Sequence, residues 1–377
     1  MGIVGHWQQR FCSGLGGLGL RIESMSNIAH ALAQQAAEQG DAVALIIPQK
    51  PTADGWADER LTYRQLNDQV EALARGLVIK EFTQGTRVAL MVPPSPMFFV
   101  SFFALMRAGL VPVLIDPGIG LKPLKQCLAE AEPQVFMGIG KAQWARKIFG
   151  WAKVSLQHAI TVGGRWGANT DRALIKLGQV HERATQLPEV TDDEPAAILF
   201  TSGSTGIPKG VVYRHRHFQA QVELIRETYG IEPGEIDCPT FPPFALFDPA
   251  LGMTTVIPKM DFTRPASVDP KMLVSLIEHY QVTNLFGSPA LMNTLTAYTQ
   301  QEKIHLGSLR RVLSAGAPVS PKVIERMHRA LNKEADIHTP YGATEVLPVA
   351  TVSGRQIVSG LAARHRNGQG ICVGKPL

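Results

Sequence analysis

The sequence predicts a layered α/β fold with largely parallel sheets, on three observations. Apolar runs of strand length alternate with amphipathic runs of helix length along most of the 377 residues. The strand candidates are apolar throughout, as strands covered on both faces must be. Two segments rich in small and hydroxylated residues follow strand candidates, where open α/β sheets carry their ligand loops. An apolar content of 45% over this length is enough to bury a large core and to build more than one lobe.

The elements follow in order. Residues 26 onward carry a capped helical pattern. Residues 42–47 read as a strand, and 62–78 as an amphipathic helix opened by the hydroxyl of Thr62. A strand at 87–92, a helix at 96–107 and a strand at 111–115 come next. The apolar stretch 97–113 is interrupted by Arg107, Gly109 and Pro112, and no uninterrupted run reaches bilayer length, so no transmembrane segment is expected. Strands at 134–138 and 159–162 continue the rhythm. Residues 182–194 are acidic and turn-rich, which puts a subdomain boundary near 185–195. Beyond it the pattern gives a helix at 217–229, a strand at 253–257, a helix at 270–280 and a strand at 284–286. A strand at 309–314, a helix at 321–331 and a strand at 337–339 complete the series.

The net charge of +5 comes from 37 basic and 32 acidic residues. That balance suits small anionic ligands, and it lacks the basic stripe of a nucleic-acid binder. The densest basic cluster, Arg214, His215, Arg216 and His217, reads as a solvated helix start. Cys12, Cys127, Cys238 and Cys372 lie far apart, with no metal-type spacing, so the expected compartment is a reducing cytoplasm. Residues 1–24 have scattered glycines, no apolar core segment and no clear cleavage site, which argues against a secretory leader. The expected folded part therefore runs from Met25 to Leu377, with 1–24 an unstructured or non-native extension.

The most informative stretch is residues 201–210, TSGSTGIPKG, directly behind the apolar run AAILF. Its glycines let backbone N–H groups face an anion. Thr201, Ser202, Ser204 and Thr205 add hydroxyl donors, and Lys209 adds a compact charge, a set suited to a polyphosphate. Spacing excludes a P-loop, because Pro208 precedes Lys209 and Gly210 follows it, leaving no adjacent hydroxyl for magnesium. A surface loop of turn formers is the plain alternative.

TSGSTGIPKG resembles the signature loop of the adenylate-forming superfamily of acyl-CoA synthetases, luciferases and peptide-synthetase adenylation domains. YGATE at 341–345 and SAGAP at 314–318 match its further motifs in order. VVYRHRHF, FPPFALFDPALG and LFGSPALM are most similar to the β-lactone synthetases of bacterial long-chain olefin biosynthesis. The resemblance implies the layered αβαβα subdomains of that superfamily's large N-terminal domain. Its later motifs do not arrive before Leu377, so a mostly missing barrel-like subdomain and an absent C-terminal domain are expected.

The resemblance also implies substrates and roles. ATP and Mg²⁺ are expected, with a long-chain 2-alkyl-3-hydroxy acid activated as its adenylate and then closed to a β-lactone. Lys209, with Thr201, Ser202, Gly203, Ser204, Thr205 and Gly206, grips the leaving phosphates. Thr344 contacts the α-phosphate and Glu345 holds Mg²⁺. Tyr341, Gly342, Gly316, Ala317 and Pro318 shape the adenine slot. His215 is expected to make only a local structural hydrogen bond. Phe241, Phe244, Leu246 and Phe247 line an acyl pocket or pack the core, two readings that stay open. Association with other olefin-biosynthesis enzymes follows from the same resemblance. A fatty-acid acyl-CoA ligase and an inactive nucleotide-binding fragment are the competing functions, and exposed sheet edges predict weak stability.

Overall fold

A computed structural model describes residues 27–52, 55–164, 167–201 and 208–377, with Pro117 and Thr201 described by backbone alone. The expected extension at 1–24 and the loop 202–207 lie outside these residues. In chain order the strands are β1 (Val43–Thr52), β2 (Gly55–Thr62), β3 (Arg87–Met91), β4 (Val111–Ile115) and β5 (Val135–Ile139). They continue with β6 (His158–Val162), β7 (Pro195–Thr201), β8 (Lys209–Arg214), β9 (Ile236–Pro239) and β10 (Thr254–Val256). The last are β11 (Asn284–Phe286), β12 (Arg311–Leu313), β13 (Asp336–Ala343), β14 (Val346–Ser353) and β15 (Lys375–Pro376).

Two sheets result, one in the order β6-β5-β3-β4-β7-β8 and the other β15-β14-β13-β12-β11-β9-β10-β1-β2. Pairing is parallel within each sheet's centre and antiparallel only toward the edges, at β7–β8, β1–β2, β13–β14 and β14–β15. The predicted largely parallel α/β fold is therefore present. The acidic segment 182–194 connects the helix Asp171–Val180 to β7, so β6 before it and β7 after it belong to one sheet.

The continuous apolar strands have a direct cause. Along β3, Val88 and Leu90 face the main core while Ala89 faces a smaller one on the other side. Along β5, Val135 and Met137 face the first and Phe136 the second. Side chains alternate across a strand, so a sheet covered on both faces needs apolar residues at every position. The nine-stranded sheet has its own core, built with helices Pro270–Tyr280, Pro289–Glu302 and Pro321–Ala330.

Helix Tyr63–Ile79 starts at a capping box. Thr62 Oγ1 accepts from the Gln65 N–H at 3.2 Å, and Gln65 Oε1 accepts from the Thr62 N–H at 3.0 Å. Its glycine lets a second helix, Asp171–Val180, approach backbone to backbone. A Cβ on Gly76 would lie 2.1 Å from the Leu174 carbonyl oxygen, and one on Gly178 would lie 1.9 Å from that of Ala72.

The chain also forms elements the sequence pattern does not announce. β2 (GWADERLT) is half exposed and polar, so it carries no buried-strand signal. Helices Leu121–Ala131, Gly140–Phe149, Asp171–Val180 and Pro289–Glu302 and strands β8 and β14 are likewise unannounced. The basic cluster at 214–217 needs correction. Arg216 and His217 are exposed, but His215 is 1% exposed. Among the described residues no helix is long and apolar enough to cross a membrane.

Candidate active site

The apolar strand β7 runs up the six-stranded sheet to Thr201, which pairs with Lys209 at the start of the antiparallel β8. Lys209 is exposed. Of the expected phosphate donors, Ser202, Gly203, Ser204, Thr205 and Gly206, together with the side chain of Thr201, lie outside the described residues. Gly210 is required by packing, since a Cβ there would lie 2.6 Å from the Phe200 ring. The structure therefore brings Lys209 to the mouth of a β-hairpin rather than onto a strand-to-helix turn.

The second motif also lies on a hairpin. Tyr341 and Gly342 belong to β13, and Thr344 and Glu345 form its turn into β14. The strand expected at 337–339 thus continues through the motif, because β14 pairs it as far as Ala343↔Val346. A Cβ on Gly342 would meet the Val346 carbonyl oxygen at 2.4 Å, so the tight return needs glycine. Tyr341 is 53% exposed, and the Glu345 side chain is exposed as well.

Side chains from β8 and the helix after it tie the two hairpins together. The Tyr213 phenol donates to the Thr344 carbonyl oxygen. Gln221 Nε2 donates to the Leu347 carbonyl at 3.0 Å, and the Tyr229 hydroxyl to Thr351 Oγ1 at 3.2 Å. Burial raises the Tyr213 pKa, and the charge of Glu345 adds to the rise, so the phenol stays a donor. These bonds bring the carbonyl of Thr344 and the carboxylate of Glu345 beside the strand that Lys209 opens.

The third motif follows β12. Gly316 has φ +92° and open space where a Cβ would stand, and Ala317 and Pro318 are exposed beside it. The Ser314 N–H donates to the His338 carbonyl at 3.0 Å, and the Gly287 N–H donates to that of Leu313 at 3.0 Å. β11, β12 and β13 are parallel, so the loops after β11 and β12 and the distal half of β13 gather at one end of the sheet. Loops at the carboxyl ends of parallel strands are where such folds bind ligands.

The aromatic segment divides. Leu246 is buried, and Phe247 packs on the main core with its ring 5.9 Å from Phe218. Phe241 and Phe244 are half-buried and join Phe286, the last residue of β11, with Phe244 and Phe286 stacked at 4.2 Å. Two buried carboxyls stand on β9 and at the start of the short helix Asp248–Leu251. Asp248 Oδ2 accepts from Thr255 Oγ1 at 2.8 Å. Burial pushes Asp237 up to about 8, and burial with the neighbouring Asp237 raises Asp248 well above the usual range.

His215 also departs from expectation. Among the described residues its buried Nδ1 has no hydrogen-bond partner, where a local structural bond was expected. Burial depresses its pKa to about 4, and the ring is neutral at physiological pH. Sequence reasoning passed over Tyr213, Gln221 and Phe286. Tyr213 did carry a signal, as the aromatic residue two positions before that histidine, but its partner lies 131 residues away.

The family model described as AMP-binding enzyme matches residues 26–377. The "Olefin beta-lactone synthetase" of Xanthomonas campestris pv. campestris is 48% identical over 359 residues, covering 94% of this chain and 63% of that protein. Its namesake in Stenotrophomonas maltophilia is 48% identical over 353 residues, covering 92% and 62%. The chain thus spans less than two thirds of the length of either relative. Among solved structures, a long-chain-fatty-acid-CoA ligase from Archaeoglobus fulgidus superposes with a TM-score of 0.76 at 20% identity, over 93% of this chain and 69% of the ligase. VinN superposes at 0.73 and 19% identity, over 93% and 82%. At such identities the likeness establishes the fold alone.

Proposed function

The chain belongs to the AMP-binding enzyme family, and from that premise we propose that it activates a long-chain 2-alkyl-3-hydroxy acid with ATP and closes the product to a β-lactone. The observation that carries this reading is the 48% identity to two olefin β-lactone synthetases over nearly the whole chain. The substrate carboxylate attacks the α-phosphorus, an O–P bond forms, and pyrophosphate leaves. Then the acid's own 3-hydroxyl attacks the activated carbonyl, loses its proton and expels AMP. Holding both reactants in one molecule supplies the effective concentration that ring closure needs.

The chain's own groups serve the first step by neutralising charge. Lys209 grips the β- and γ-phosphates, with Thr201, Ser202, Gly203, Ser204, Thr205 and Gly206 donating around them. Thr344 contacts the α-phosphate. Tyr341, Gly342, Gly316, Ala317 and Pro318 form the adenine slot. The open space at Gly316 and the exposure of Tyr341 fit a flat base. Among the described residues no group of three or more metal-ligating side chains occurs. The exposed carboxylate of Glu345 would hold Mg²⁺, a hard ion suited to oxygen ligands, which would offset negative charge on the phosphates. The half-buried Phe241 and Phe244, backed by the buried Phe286, offer an apolar wall to the acyl chain.

The test is magnesium-dependent exchange of labelled pyrophosphate into ATP, with 3-hydroxy acids, plain fatty acids and amino acids as substrates. It is run on this chain and on a chimaera carrying the remaining third of the Xanthomonas relative. Exchange with 3-hydroxy acids and lactone formation without CoA is the expected result. AMP release only with CoA would replace lactone closure by thioester formation, and no exchange by either protein would overturn the reading.

A further inference from the structure

A second surface lies away from the two hairpins. Helix Gly140–Phe149 follows β5 and contains no fully buried residue. Its inner side is nevertheless fastened. Ala142 and Ala145 pack on the core around Phe136, and Gln143 Nε2 donates to the Ile160 carbonyl at 2.8 Å. The outer side is apolar. Trp144 and Ile148 are each 71% exposed, and being four residues apart they share a face. Phe149 is 41% exposed and stacks on the buried Trp151 at 5.6 Å, and Val154, just beyond, is fully exposed.

The segment itself carries charge of one sign. Residues 140–154 (GKAQWARKIFGWAKV) hold four basic residues and no acidic one. Arg146 is turned inward, with its guanidinium carbon 5.5 Å from the Phe136 ring centroid. Lys141, Lys147 and Lys153 remain exposed. Folding does not account for a tryptophan, an isoleucine, a phenylalanine and a valine presented together on a fastened helix and its following turn.

We propose that this face docks the protein peripherally on an anionic lipid bilayer. Trp144, Ile148, Phe149 and Val154 enter the boundary between headgroups and acyl chains, and Lys141, Lys147 and Lys153 meet the lipid phosphates. Indole and long aliphatic side chains partition to that boundary, and lysines beside them gain from a negative surface potential. A second copy of the chain fits this face poorly, because a two-fold contact would set the same lysines against each other. The proposal is independent of which acid the protein activates.

Sedimentation with phosphatidylcholine vesicles, with and without phosphatidylglycerol, tests it. The protein is expected to bind the phosphatidylglycerol vesicles, and added salt to release it. Trp144→Ala with Ile148→Ala should weaken binding roughly tenfold or more, as should Lys147→Glu with Lys153→Glu. Both double variants should melt like the parent, since no exchanged side chain is buried. Quenching of tryptophan fluorescence by brominated lipid should fall in Trp144→Phe. Absence of binding to either vesicle would overturn the proposal, as would binding that neither double variant weakens. A self-associated parent that becomes monomeric with Trp144→Ala and Ile148→Ala would instead assign the face to a second copy.

Discussion

Lys209 and Glu345 are exposed at the ends of hairpins, so changing either leaves packing intact. Lys209→Ala and Glu345→Gln should each lower the initial rate of pyrophosphate exchange by about 10²-fold with an unchanged melting temperature, as loss of one preorganised charge does. Exchange at the parental rate in both variants would remove them from the chemistry. Lys209 is a candidate readable in the sequence because charge, hydroxyls and glycines fall within ten positions, whereas Glu345 is a candidate only through the resemblance of YGATE to the family's motif. Tyr213 and Gln221 were not legible, because what they do depends on carbonyls 131 and 126 residues away.

At the scale of elements, the site rests on two antiparallel hairpins hung on parallel sheets and bridged by β8 and the helix His215–Tyr229. Tyr213→Phe deletes the bond to the Thr344 carbonyl and leaves the ring. It should raise the KM for ATP several-fold and cost about 1 kcal/mol, read from urea unfolding together with exchange kinetics. Gly178→Ala forces a methyl into the Ala72 carbonyl and should cost about 1–3 kcal/mol of stability, measured by urea unfolding. Strands β3, β4, β5 and β7 were readable as unbroken apolar runs because both their faces are covered. β2, β8 and β14 were not, since edge and hairpin strands are half exposed and take their shape from a neighbour.

For the whole molecule, the buried carboxyls Asp237 and Asp248 and the buried His215 set opposite pH trends. Asp237 has its folded pKa raised to about 8 by burial, above an unfolded value of about 3.9. Its stabilising contribution is complete below the unfolded pKa and is lost as pH rises through the folded one. His215, depressed to about 4 by burial, contributes fully above its unfolded value of about 6.5 and loses that contribution as pH falls. Urea unfolding from pH 5 to 9 should therefore show Asp237→Asn flattening the alkaline loss, and His215→Gln flattening the acid one. Parallel curves for parent and variants would assign the trends to other groups.

Taken alone, the sequence determined the α/β class, the order of the central strands and helices, and the motifs that name the family. Those properties are written in local periodicity and in short runs of residues with one chemistry. The tertiary structure decided which strands share a sheet, that β7 and β8 pair antiparallel and the YGATE segment is a hairpin, and that Phe247 belongs to the core while Phe244 stacks on Phe286. It also decided that His215 and Asp237 are buried rather than solvated. Sheet order, burial and long-range hydrogen bonds depend on residues far apart in the chain, and only the folded packing brings them together.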